Sequence, residues 1–167
     1  MCIRDSQKQE FEEYKKLYVE HHGEDPRPLL LTDMMVCDSN KSRAEENSKH
    51  IANYLLSVLH HYEMMGDHYK EAKGYEAYGD AVDSLREMGK EGMMQAYVEQ
   101  QIWGTPDQML RKFEDRRKNL GTTDCLACFR FAGISYEAAA RSQKLFAEEV
   151  IPVLKSWSDE DKKTQAA

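Results

Sequence analysis

Leu29-Leu30-Leu31-Thr32-Asp33-Met34-Met35-Val36-Cys37 is the stretch on which the fold turns. Pro26 and Pro28 cut it off from whatever precedes it, since proline fixes φ and biases its predecessor away from the α region. Neither alternate set of positions is polar, so the segment suits a strand buried on both faces, the habit of parallel sheets. Asp33 is its sole charge. A second segment of the same kind, Asp124-Cys125-Leu126-Ala127-Cys128-Phe129-Arg130-Phe131, carries one buried cation candidate, Arg130.

Helical patterns surround both strands. Residues 10–22 repeat Phe11, Tyr14, Leu17, Tyr18 and His21 at helical spacing, with Gly23 as the stop. After the first strand, Asp38 or Ser39 can cap a helix, and Ser42 with Glu45 offers a second capping box. Its inward stripe is Ala44, Ser48, Ile51, Leu55, Val58, Tyr62, Met65 and Tyr69. Residues 70–101 lose the pattern and are punctuated by Gly74, Gly79, Gly89 and Gly92; short helices are expected over 81–88 and 93–98. Such a segment reads as a lid-like insertion. Thr105-Pro106-Asp107-Gln108 then starts a helix with an N-cap threonine, proline at N1 and glutamine at N3. Met109, Leu110, Phe113, Arg117 and Leu120 face inward, and Gly121 ends it. Ser135 caps the last helix, striped by Ser142, Leu145, Phe146, Glu149, Val150 and Val153, with a bend expected near Glu148 because of Pro152. Residues 158–167 are expected to fray.

Strands alternating with helices give an α/β chain with a parallel sheet. Two strands cannot complete one: both faces and both edges need neighbours. The expectation is therefore that the chain is the end of something larger, with one domain over 7–157. Met1-Cys2-Ile3-Arg4-Asp5-Ser6 is also what a transposase adapter of sequencing libraries encodes, and is read as such and set aside.

Composition narrows the function classes. The chain has 167 residues, 23 Lys+Arg and 30 Asp+Glu, a formal charge of -7. An acidic chain without a basic run lacks the footprint of a nucleic-acid binder. No apolar run approaches the ~20 residues of a membrane span. Four cysteines without an export signal fit reduced thiols and a cytoplasmic location.

Chemistry-bearing groups are sparse. His50, His60, His61 and His68 share one helix, but residues seven and eleven apart are about 10 and 16 Å apart along its axis, too far for one ion. They are read as a solvated rim, and no metal is expected. Cys125 and Cys128 fall in a strand, where positions i and i+3 point to opposite faces, so they read as small buried side chains. Asp33 and Arg130, charged within apolar strands, either line a pocket or form structural ion pairs. The helix start at Thr105 is a cap before it is an anion site. Tyr75 and Tyr78 are candidate lid residues, against the alternative that they merely pack a loop. No nucleophile–base pair and no glycine-rich phosphate loop is present in the sequence.

Several pieces, in this order, resemble the C-terminal part of the bacterial-luciferase-like flavin-dependent monooxygenases. Ile102-Trp103-Gly104-Thr105-Pro106-Asp107-Gln108-Met109 resembles the family's Val-Gly-Thr-Pro-Glu-x-Val helix start. Phe129-Arg130-Phe131-Ala132-Gly133-Ile134-Ser135 resembles its last strand and turn, and Leu145-Phe146-Ala147-Glu148-Glu149-Val150-Ile151-Pro152-Val153-Leu154 its closing helix. Met35-Val36-Cys37-Asp38-Ser39 with Ala44 fits the strand and helix before the lid. The resemblance spans residues 10–157. It implies the C-terminal portion of a (β/α)8 TIM barrel, holding the last two strands. It further implies reduced FMN, or a deazaflavin in one branch of the superfamily that transfers hydride, with O2, a small organic substrate and a flavin reductase as electron source. The parent would be an enzyme, a homo- or heterodimer, and this fragment alone inactive. The catalytic and phosphate-gripping residues are expected upstream of this chain. Asp33, Cys37, Tyr75, Tyr78, Arg130 and Phe131 are the candidates for pocket or lid lining. A non-catalytic subunit docking on a partner barrel is the rival from another class.

Overall fold

The computed structural model describes the backbone over residues 3–165, and side chains there save those of residues 3–7, 69, 76–81 and 159–165. In chain order the elements are α1 (Ile3–His22), β1 (Leu29–Met34), β2 (Val36–Cys37), α2 (Lys41–His61), α3 (His68–Glu71) and α4 (Glu76–Gln100). They are followed by β3 (Trp103–Gly104), α5 (Pro106–Leu120), β4 (Thr123–Cys128), α6 (Tyr136–Leu145), a π-helical turn (Phe146–Val150) and α7 (Ile151–Gln165). The chain is thus α/β with two parallel pairs, β1 beside β4 and β2 beside β3.

The long apolar run is one line of backbone serving two ladders. β1 runs beside β4 from Leu29↔Thr123 to Met34↔Cys128, and Met35 N–H donates to the Cys128 carbonyl at 2.8 Å. The chain then turns to Trp103 and Gly104, which pair with Val36 and Cys37. Alternation separates two faces. Met35 and Cys37 pack with Ile102 before β3, Met109 and Phe113 of α5, and Phe146 and Val150 of the π turn. Met34 and Val36 pack instead with Ile51 of α2 and Phe131, Ile134, Ala138 and Ala139.

Burial on both sides, expected along the whole strand, holds only at its carboxyl end. Leu30 is 65% and Leu126 55% exposed, and Thr32 and Asp124 are exposed beside them. Leu30 faces Asp124, and Thr32 faces Leu126, across the ladder. Nothing among the described residues covers this face.

Local chemistry accounts for the element ends, with several departures from the sequence reading. Asn40, not Asp38 or Ser39, caps α2: its side chain accepts from Arg43 N–H at 3.0 Å, while Asp38 accepts from Asn40 N–H at 2.8 Å. An Asp two residues earlier makes the turn that sets Asn40 at the cap. Ser42 and Glu45 therefore lie inside the helix. The stripe holds at Ala44, Ser48 and Ile51, but α2 stops at His61 and leaves Tyr62 60% exposed. α4 consists of two helical halves, longer than expected, that meet at Gly89, where φ is 75° and ψ 163°. α5 has the full capping box between Thr105 and Gln108 and ends at Gly121. β4 stops at Cys128, short of Phe131, because Phe131 to Ile134 form a turn: Ile134 N–H donates to the Phe131 carbonyl, and Ala132 and Gly133 have positive φ. The bend expected from Pro152 is absorbed as a π turn, with Ile151 N–H donating to Phe146 five residues back. α7 runs from Ile151 to Gln165.

Candidate functional site

The carboxyl ends of β1 and β4 lead into the cluster of Met34, Ile51 of α2 and Phe131, against which Tyr97 and Val98 of α4 pack. In parallel α/β sheets this is the end where ligands bind. Polar bonds tie the insertion to the strands. Gln101 Oε1 accepts from Met34 N–H at 2.8 Å, and Lys112 Nζ donates to the Gln101 carbonyl at 2.7 Å. Trp103 Nε1 donates to the Val98 carbonyl at 2.9 Å, with the Lys112 ammonium 4.9 Å from the Trp103 ring centroid. The second half of α4 is therefore anchored. The first half is held to its own neighbours, through Arg86 with Asp67 and Lys70 with Asp83, all at exposed positions.

Asp33 is 2% exposed, and Arg116 of α5 grips both its oxygens at 2.6 and 2.7 Å. Cys125 Sγ donates to the same carboxylate at 3.2 Å. Of the two readings of Asp33, the ion pair is what the geometry contains, on the face turned to α5. Cys125 is an exposed residue and Cys128 a half-buried one, which corrects the expectation of two buried cysteines. The Cys125 thiol is nevertheless pushed up to about 12 by burial of its sulfur, reinforced by Asp33.

Cys37 is buried, and its N–H donates to Ser142 Oγ at 2.6 Å. Burial, with the charges of Glu149 and Asp38, pushes its thiol up to about 12, so it stays protonated and is no nucleophile. For the adjacent Asp38, burial alone would raise the carboxyl. Hydrogen bonds from Arg43 and from Asn40 N–H, with the charges of Arg43 and Arg141, hold it below the ordinary 3.8. Phe131 is buried in the mouth cluster with Met34 and Ile51. Arg130 is exposed, its guanidinium 4.5 Å from the Tyr136 ring centroid. Tyr75 is exposed at the start of α4, and the side chain of Tyr78 lies outside the described residues. The five candidates whose side chains are described do not converge on one point: Cys37 and Phe131 lie at strand exits, Asp33 on the helix side, Arg130 and Tyr75 at the surface.

Sequence reasoning missed three residues at the mouth. Tyr54 and Tyr97 pack against the cluster of Met34, Ile51 and Phe131. Burial, with Tyr54 and Asp33 nearby, raises Tyr97, which therefore stays a phenol. Tyr54 stands three residues beyond Ile51 but was left off the expected stripe, which passes through its neighbour Leu55. His50 bonds through Nδ1 to the Ala132 carbonyl at 3.0 Å, which no local pattern reveals because 82 residues separate them. Further out, Leu56, Leu59, Met65, Leu85 and Met93 line an open groove of about 700 Å³ between α2 and α4. Among the described residues no three metal-ligating side chains cluster, and no helix is long and apolar enough to cross a membrane.

No protein-family model and no curated protein sequence matches the chain. Among solved structures, the monooxygenase RslO1 from Streptomyces bottropensis is similar in fold, with a TM-score of 0.57 over 91% of this chain at 15% identity. The chain spans 39% of that protein's length.

Proposed function

We propose that this chain is the C-terminal part of a luciferase-like, flavin-dependent monooxygenase, built as the last two strand–helix units of a TIM barrel. The observation that carries the reading is the pairing of an open parallel sheet face with a fold similar to 39% of a solved monooxygenase. The residue motifs at Gly104-Thr105-Pro106 and Glu149-Val150-Ile151-Pro152 support it further. In the parent, the exposed strip of Leu30, Thr32 and Leu126 becomes barrel interior, filled by side chains of the other strands.

The mouth residues fit one part of a flavin site. Met34 and Phe131 are core residues here, and the half-buried Tyr54 and Tyr97 packed against them are the aromatic groups that would face a flat ring. They do not supply a phosphate cradle: Arg43 is held by Asp38, and Lys144 lies 3.9 Å from Glu148. That contact belongs to other strands. Reduced FMN, when bound, supplies the electrons with which O2 is activated. This chain's own part is to wall the pocket and to exclude water through the insertion, hinged at Gly89 and anchored at Gln101. Electrons come from a flavin reductase in the cytoplasm, and the substrate is a small organic molecule.

The test is oxygen uptake by the protein of the complete reading frame, supplied with reduced FMN or with reduced deazaflavin. Oxygen consumption dependent on reduced FMN supports the proposal. Hydride transfer from the deazaflavin, without oxygen uptake, moves the protein to the other branch. Activity with neither overturns the enzyme reading. The 167-residue chain by itself is expected to show no uptake above background.

A further inference from the structure

The groove between α2 and α4 is lined by aliphatic and thioether side chains. Leu59 and Met93 are buried in it, and Leu56, Met65 and Leu85 are half-buried along it. None of the five belongs to either packed cluster beside the strands. The break in α4 lies in the groove: Gly89 lines it with φ of 75°, and a Cβ at Gly89 would meet no atom within 4 Å. Leu85 to Met93, on either side of that break, covers about 12 Å at the rise of an α-helix. Among the described residues no phenyl, phenol or indole ring lines the groove. Its shape and chemistry suit a narrow aliphatic chain, whose burial would remove both its own surface and the groove's from water.

The charges at its edge fix the sign of a head group. Four ionisable side chains stand there: His60, Glu63, Arg86 and Lys90. Arg86 is engaged, with Nη1 donating to Asp67 at 2.8 Å and Nη2 to the Met65 carbonyl at 2.6 Å. Glu63 belongs to the same end, where its carbonyl accepts from Gly66 N–H at 2.8 Å. Lys90, one residue past the break, is exposed and pairs with no carboxylate among the described residues. Glu87 and Glu91, its neighbours on α4, do not line the groove. His60 adds a ring N–H donor to the edge. An uncommitted ammonium beside an aliphatic wall is complementary to an anion that carries an apolar tail.

We propose that the α2–α4 groove binds an unbranched aliphatic carboxylate, its chain along Leu56, Leu59, Leu85 and Met93 and its head beside Lys90. The chain supplies most of the affinity, and Lys90 selects the charge of the head. The proposal rests on this chain's geometry alone and its test involves no flavin, so it stands or falls apart from the oxygenase reading.

The experiment is methyl NMR on the carbon-13-labelled chain, titrated with octanoate, with octyltrimethylammonium or with 1-octanol. Octanoate should shift the methyl groups of Leu56, Met65, Leu85 and Met93 saturably, and leave those of Leu30 and Leu126 on the bare sheet face in place. Each methylene removed, down to hexanoate, should raise the Kd about four-fold. The cationic probe should bind more weakly than octanoate. Lys90→Gln, a change at an exposed position, should raise the Kd for octanoate about three-fold, the strength of an exposed ion pair, and leave that for 1-octanol unchanged. The proposal is overturned by the absence of a saturable shift, by shifts at Leu30 and Leu126 instead, by equal affinity for the cationic probe, or by an unchanged Kd in Lys90→Gln. Groove shifts that follow protein concentration with no probe present would put a second copy of the chain there, and would overturn it as well.

Discussion

The two faces of the β1–β4 ladder differ in how far this chain completes them. On the α5 side, Asp33 meets Arg116 and Met35 meets Met109 and Phe113, so burial reaches Asp33, with Leu29 and Leu31 half-buried before it. On the other side, burial begins only at Met34, and Leu30 and Leu126 lie bare. Composition does not explain the contrast, since Leu30 is as apolar as Met35. What differs is that α5 and the π turn lie against one face, while no described residue lies against the other. A parallel strand is built for two covered faces, and under the proposed function the bare one is where other strands of the parent would pack.

The comparison can be broken most forcefully at Arg116. Arg116→Ala leaves the Asp33 carboxylate buried without its cation, and should cost about 3–5 kcal/mol in urea unfolding. A cost below about 1 kcal/mol would mean that the α5 face is wetter than described. Met35→Ala, on the same face and fully buried, should cost about 2–5 kcal/mol. Thr105→Ala removes the side-chain half of the α5 capping box and should cost about 1 kcal/mol.

Arg43→Ala should have a smaller effect, because Arg43 is exposed and its bond to Asp38 is screened. Its signature lies in pH. Asp38 is depressed in the folded chain, so its contribution is present above the ordinary 3.8 and is lost as pH falls through the folded value. Urea midpoints of the parent chain and Arg43→Ala should therefore converge as pH drops below 3.8. The smallest stability change is expected on the bare face. Leu126→Thr should stay within about 0.5 kcal/mol, while binding of a hydrophobic dye to the chain falls, since apolar surface is removed. A loss as large as that of Met35→Ala would show the face to be covered after all.

Much of the fold was legible because it is written locally. Thr105, Pro106 and Gln108 announce α5, Gly121 its end, Ser135 the start of α6 and Pro152 a distortion. The apolar runs marked both strands. What was not legible depends on contacts distant in sequence. The turn at Phe131–Ile134 shortened β4, Asp38 drew the cap to Asn40, and β1 and β2 divided between two partners at Met35. For the site, Asp33 was recognisable as a buried charge needing a partner, but its partner is Arg116, 83 residues away. The histidines were weighed as metal ligands of one helix, but His68 lies on α3, beyond the end of α2, and the link from His50 to a carbonyl beyond β4 went unseen.

Whether the bare face belongs to a larger barrel, as proposed, is decided by an adapter-free long DNA read through the region upstream of codon 7. The account predicts an open frame continuing for something like another 150–200 residues, with about six further strand–helix units. A stop codon just upstream, with translation beginning at Met1, would contradict it.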